Sequence, residues 1–141
     1  MRFKKEVILI IIIIIGIIIL EVVTNYMSDK AVKEVTIEVD EIYDKISKAI
    51  ELEENNELSE EYKEDMKIKM KKFKDNWYEK QDKLSMFFEH DELEKVTRSL
   101  VVLEENSKNE EYETSLENIA EFKFWLYHFE EKEKMKLKNF L

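Results

Sequence analysis

The sequence has no cysteine, no proline and a single glycine among its 141 residues. Without cysteine there is no disulfide scaffold, iron–sulfur cluster, thiol enzyme or cysteine-based zinc site. With almost no glycine or proline, a turn-rich β fold is excluded, because tight hairpins need residues that accept positive φ. The one glycine, Gly16, lies in an apolar run, so there is no glycine-rich phosphate loop either. Basic residues are outnumbered: 23 Lys and Arg stand against 33 Asp and Glu, for a net charge of −10. That balance argues against a nucleic-acid role, since phosphate binding is carried by Lys and Arg. What is left is an all-α, acidic chain, 40 % charged, with a hydrophobic start.

The apolar residues are concentrated at that start. Val7 to Leu20 is fourteen residues without a polar side chain, and ten of them are Ile. The run continues to Val23, seventeen residues in all, with Glu21 its one charge. A helix of that length spans roughly 26 Å at ~1.5 Å per residue, the short end of what crosses a bilayer. Ile is a mediocre helix former in water, but in lipid the backbone must satisfy its own hydrogen bonds, which forces a helix. Arg2, Lys4 and Lys5 precede the run, so the positive-inside rule places the start in the cytoplasm. Lys30 and Lys33 follow the span and make that bias modest. We therefore expect residues 1–6 to be a cytoplasmic basic start, 7–24 a transmembrane signal anchor, and 25–141 an extracytoplasmic acidic helical bundle. Cleavage is not expected, because Glu21-Val22-Val23-Thr24-Asn25-Tyr26-Met27 offers no small-x-small site. A buried core helix is disfavoured, since ten Ile around the circumference leave no polar face.

Residues 1–23 carry three basic and two acidic side chains, so the remaining 118 residues carry −11. These 118 also hold seven Phe, six Tyr and both Trp, too much aromatic content for a disordered acidic tail. Val32, Val35, Val39, Ile42, Ile46 and Ala49 recur at alternating spacings of three and four, a helical stripe of coiled-coil type. No breaker separates this stripe from the apolar run. One helix is predicted from about Phe3 to Glu54, roughly 75 Å long. Asn55 and Asn56 end it, because Asn tolerates the left-handed conformation of a helix terminus. A second helix opens on Ser59 as N-cap, carries Tyr62, Met66, Met70, Phe73, Trp77 and Leu84, and runs to about Phe88. A third starts at Asp91, with Glu94 at capping-box spacing, and carries Leu93, Val96, Leu100 and Leu103. Asn106-Ser107-Lys108-Asn109 reads as an exposed turn with Asn109 capping the fourth helix. That helix carries Tyr112, Leu116, Ile119, Phe122, Leu126 and Phe129; residues 132–141 either extend it or fold back. The economical architecture is an N-terminal transmembrane helix continuing into an antiparallel four-helix bundle. A single extended coiled coil is the alternative, and the two asparagine-rich turns argue against it.

Three constellations could carry chemistry. His90 and His128 are the only histidines, each after bulky apolar residues and before acids, and are the candidate pH-sensing or metal pair. There is no Glu-x-x-His, however, since Phe87 and Trp125 stand three residues before them. The plainer reading is a helix-end role. Aromatics nearly encircle helix four, and Phe122, Trp125 and Phe129 are its candidate interaction surface. The alternative is that helix two and the tail cover them. Lys67, Lys71 and Lys74 share a helix face in a cluster with Lys69 and Lys72, suited to anionic lipid or polymer, or to pairing with nearby acids. Nothing combines a nucleophile, a partnered base and an oxyanion donor, so an enzyme is not expected, nor a cofactor.

Trp77, the run Leu84-Ser85-Met86-Phe87-Phe88-Glu89-His90-Asp91-Glu92, the run Glu121-Phe122-Lys123-Phe124-Trp125-Leu126-Tyr127-His128 and the ending Leu137-Lys138-Asn139-Phe140-Leu141 resemble one bacterial family. It is catalogued as domain of unknown function 4363, short membrane-anchored helical proteins of spore-forming Gram-positive bacteria. Both His positions match its pattern. The resemblance covers the whole chain in layout and is most specific from Trp77 onward. It implies a membrane-anchored helical protein and assigns no activity. The expected function is a non-enzymatic interaction or accessory module of a membrane complex; the alternative is an extracytoplasmic ligand- or signal-sensing domain. The expected partners are the membrane and a membrane protein, with self-association through helix one a further possibility. The expected location is the cell membrane, with the bulk of the chain outside.

Overall fold

The computed structural model describes residues 2–140. They form four helices: α1 (Arg2–Glu54), α2 (Glu60–Leu84), α3 (His90–Lys108) and α4 (Tyr112–Phe140). No strand occurs among the described residues. The chain is all-α, and the first helix is long and apolar.

Local chemistry explains the connections. Asn56 takes φ 56° and turns the chain after α1, a conformation Asn accepts more readily than most residues. Ser59 then caps α2, its side chain accepting from the Tyr62 backbone N–H at 3.2 Å. Glu60 and Glu61 follow in the first turn, where acids suit the helix dipole. α2 stops at Leu84, four residues short of the sequence expectation. The chain winds through Ser85–Phe88, with Phe87 and Phe88 both donating to the Leu84 carbonyl, at 2.9 and 3.0 Å. α3 accordingly opens one residue before the expected Asp91. Its capping box is Glu89 with Glu92 rather than Asp91 with Glu94, and the Glu92 carboxylate accepts from the Glu89 backbone N–H at 3.3 Å.

The second asparagine-rich segment also differs from expectation. Asn106, Ser107 and Lys108 complete α3, and Asn109 is its C-cap rather than the N-cap of α4. The left-handed residue is Glu110, at φ 63°. Ser107 is buried, not an exposed turn residue. The segment from Lys132 to Phe140 extends α4, and Leu141 lies outside the described residues.

The predicted stripes form one core. Val32, Val35, Val39, Ile42, Ile46 and Ala49 of α1 meet Met66, Met70, Phe73, Trp77 and Leu84 of α2. α3 adds Leu93, Val96, Leu100 and Leu103, and α4 adds Tyr112, Ile119, Phe122, Leu126 and Phe129. α1 packs on α2 and α4, and α3 packs on the same two helices. Polar ties across α1 and α2 fix their relative direction. Lys45 pairs with Asp65, Lys69 with Glu41, Asn76 with Glu38, and Lys80 with Glu34. As the α2 number rises the α1 number falls, so the two helices run in opposite directions. The one polar group of Trp77 is satisfied inside, its Nε1 donating to Thr97 Oγ1 at 2.8 Å, as a buried indole requires.

None of this core reaches residues 7–23. Every large apolar side chain from Val7 to Val23 is 42–64 % exposed. The apolar window of α1 has a mean hydropathy of 3.4 with none of it buried, so by length and composition this helix could cross a membrane.

Candidate functional site

Two surfaces hold the candidate residues: the outer face of α4, and the end of the helical domain nearest the apolar stretch. On α4 the core positions 119, 122, 126 and 129 recur at three and four, so the residues between them point elsewhere. This corrects the expectation for two of the three candidate interaction residues. Phe122 and Phe129 are fully buried. Phe122 makes edge-on contacts with Phe73 at 5.4 Å and Trp77 at 5.6 Å between ring centroids, and Phe129 stacks on Phe88 at 4.4 Å. They are core because they continue the stripe. Trp125 is half-buried beside α3, with the Lys95 ammonium 5.1 Å from its ring centroid, within cation–π range. It borders an open groove of about 260 Å³ with Lys95, Arg98, Ser99, Val102 and Glu121. The outward aromatics of α4 are instead Phe124 and Tyr127, 61 % and 60 % exposed. Their signal in the sequence is that they lie off the three–four stripe.

The histidines sit apart in role. His90 is exposed at the first position of α3, where the positive end of the helix dipole gives a cation no advantage. This is a helix-end position, at the start of α3 rather than the end of α2, because α2 stops at Leu84 before the aromatic run. His128 Nε2 lies 3.3 Å from Glu92 Oε1, and its ring lies edge-on to Trp125. Lys132 Nζ reaches the same carboxylate at 2.8 and 2.9 Å. Burial pushes the Glu92 carboxyl up, but the hydrogen bonds from Lys132 and His128 outweigh it and hold it below the usual carboxylate range. No group of three or more His, Asp or Glu is arranged to hold a metal ion among the described residues. The lysine cluster of α2 is largely paired: Lys67 with Glu64, Lys69 with Glu41, and Lys74 with Glu104.

At the other surface, α4 comes back alongside the start of the packed part of α1. Val22, Asn25, Tyr26 and Asp29 of α1 line a groove of about 310 Å³ with Glu130, Glu133 and Lys134 of α4. Glu133 is 5 % exposed, and among the described residues neither its Oε2 nor Ser28 Oγ has a hydrogen-bond partner. Burial raises the Glu133 carboxyl above its ordinary range. Lys136 opposes that rise, while Asp29 and Glu130 add to it. Sequence reasoning passed over this pair, although the signal was there. Glu133 stands four residues after Phe129, and Ser28 four before Val32, so each continues the core stripe of its helix.

Together these features define an all-helical protein: an acidic packed domain of four helices, one of which projects a long apolar stretch. The family described as Domain of unknown function (DUF4363) matches residues 30–140, and the chain belongs to that family. The matched span begins beyond the apolar stretch and takes in the whole core from Val32 onward. No curated protein and no solved structure matches the chain.

Proposed function

We propose that the protein is a single-pass membrane protein whose domain, an up-and-down antiparallel four-helix bundle, is a non-enzymatic interaction module of a membrane complex. The observation that carries this is the uncovered apolar cylinder of α1. Fourteen residues, Val7 to Leu20, with no polar side chain and no protein cover require an apolar solvent. Residues 7–24 are the anchor in this reading. The basic residues before it stay in the cytoplasm, and the bundle of 25–141 stands outside the cell membrane. Helix α1 passes from anchor to bundle without a break, which holds the bundle at a fixed height over the bilayer.

The outward pair Phe124 and Tyr127 is the contact surface we assign to a membrane-protein partner. Aromatics of this kind anchor interfaces because they bury much area for little lost rotamer entropy. We favour this over ligand sensing because the grooves described between helices are open and shallow, the largest about 340 Å³. The test is purification of the full chain from its native membrane in mild detergent, beside the F124A/Y127A double variant. A stoichiometric membrane-protein partner held by the parent and lost by the variant is the expected result. A chain recovered alone, or a partner held equally by both, overturns the reading.

A further inference from the structure

The geometry of the anchor-side end points to a second contact. Three pieces of chain meet there. Tyr26 and Met27 of α1 line a groove with Lys30, Lys80 and Lys83. The α2–α3 connection lies at the same level, tied to α4 by Lys136 Nζ donating to the Phe87 carbonyl at 3.2 Å. Glu133 of α4 lies beside the groove that reaches Val22. From Glu133, α4 continues toward the apolar stretch for another seven residues, roughly 10 Å at ~1.5 Å per residue. Its last described turns therefore draw level with the upper edge of the anchor.

The chemistry of this end is unlike that of the rest of the surface. Met86, in the connection, is 79 % exposed, the most exposed of the large apolar residues described. Met135 and Tyr26 are exposed as well. After Glu133, α4 carries Lys134, Lys136 and Lys138 and no further acid. The charge divides the same way along the bundle. A cut at the Asp40–Lys123 pair leaves residues 24–39, 72–98 and 127–140 on the anchor side, with net charge −1. Residues 40–71 and 99–126, on the far side, carry −10.

Resting on the anchored reading above, we infer that this end of the bundle is seated on the bilayer that holds the anchor, with Met86 and Met135 at the interface and Lys134, Lys136 and Lys138 on anionic phospholipid headgroups. Apolar tips flanked by lysine suit the boundary between headgroups and acyl chains. Lysines close to an anionic surface are attracted to it, while the acidic far end is repelled. The seat would fix the tilt of the bundle and present the outer face of α4 sideways, along the membrane.

The absence of cysteine makes the test direct, because a single introduced thiol takes the only label. The full chain is reconstituted in phosphatidylcholine vesicles with and without phosphatidylglycerol. Single variants M86C, M135C, E57C and I13C carry an environment-sensitive fluorophore, and nitroxide lipids quench it at headgroup or mid-chain depth. The expected result is mid-chain quenching at position 13 and headgroup-level quenching at 86 and 135, several-fold above that at 57. Phosphatidylglycerol should increase the signal at 86 and 135, and K134Q/K138Q, which keeps the Lys136 tie to Phe87, should abolish that increase. Quenching at 13 with none at 86 and 135 overturns the seat and leaves the anchor standing. No quenching at 13 overturns both. Quenching at 86 and 135 that ignores phosphatidylglycerol overturns the headgroup contact.

Discussion

Residues 7–23 and 32–49 belong to one uninterrupted helix and meet opposite surroundings. The first stretch is more apolar, yet its large apolar side chains are 42–64 % exposed. The second interleaves Asp, Glu and Lys with its apolar residues, yet Val32, Val39, Ile46 and Ala49 are fully buried. The difference lies in angular distribution, not in the amount of apolar surface. A stripe at spacings of three and four can be covered by two neighbouring helices. A cylinder that is apolar all round can be covered only by a surrounding apolar medium.

The sharpest way to break this comparison is to truncate one large side chain in the apolar stretch and one in the core that the second stretch joins. Trp77 of α2 is buried in the same core as the second stretch, touches Phe122 and spends its one polar group on Thr97. W77A should cost the helical domain about 3–5 kcal/mol, the range for deleting a buried aromatic. I13A should leave domain stability within about 0.5 kcal/mol, since Ile13 touches nothing in the domain. Urea unfolding of the full chain in detergent micelles, followed by circular dichroism, checks both. A comparable loss for the two variants would mean that the apolar stretch is part of the core after all.

A charge placed at position 13 tests the same contrast from the other side. I13K should weaken membrane insertion by about 2.5–3.5 kcal/mol, the cost of Lys at the centre of a spanning helix. It should not move the melting of the domain. Alkaline extraction of membranes reads the first effect and thermal unfolding the second. Retention in the membrane pellet equal to the parent's would remove the anchor.

Which parts of this were legible in the sequence follows from what periodicity reports. The α1 stripe and its end at Asn56 were readable because spacing and turn chemistry act locally. The length of α2 was not, because Met86, Phe87 and Phe88 continue an apolar run whether the chain is helical or turning. The stop at Leu84 is set by how Phe88 folds in to meet Phe129, a contact forty-one residues distant in sequence. The misassignment of Phe122 and Phe129 has another origin. Aromatic density on a helix says that a partner exists but not on which side, whereas the three–four spacing separates 122 and 129 from 124 and 127. Glu133 was passed over because a carboxylate in a charged tail looks solvated until the neighbouring helix is placed.

Two glutamates of this region sharpen the comparison within the domain itself. Glu133 is buried without a full set of partners and titrates above the ordinary carboxylate range. Its ionisation opposes folding. That penalty is complete above its raised value, shrinks as pH falls through that value, and is gone below the ordinary range. E133Q should therefore stabilise the domain at neutral pH, on the order of 1 kcal/mol for relieving a buried unsatisfied group. The gain should fade in acid. Glu92 is the reverse case: its value is lowered, by Lys132 and His128 against the pull of burial. It contributes stability above the ordinary carboxylate range, and that stability is lost as pH falls through the lowered value. E92Q should cost about 0.5–1 kcal/mol at neutral pH, and less in acid. Thermal unfolding from pH 3 to pH 8 should show the two variants departing from the parent in opposite directions at neutral pH and converging on it in acid. Departures of the same sign would contradict the burial of Glu133.

The smallest expected effect on stability is the most informative about function. Phe124 and Phe122 stand two residues apart on α4 and present the same ring. One is 61 % exposed and the other is fully buried. F122A removes the ring that fits edge-on between Phe73 and Trp77 and should behave like W77A. F124A removes a largely exposed ring set edge-on to its neighbour Trp125, and should change unfolding by less than about 0.5 kcal/mol. If α4 offers its outer face to a partner, the order reverses for binding. F124A should abolish co-purification of that partner while leaving the melting curve in place. A substantial loss of stability in F124A would instead show that the outer ring contributes to the fold, and the contact surface would then have to be sought elsewhere on the domain.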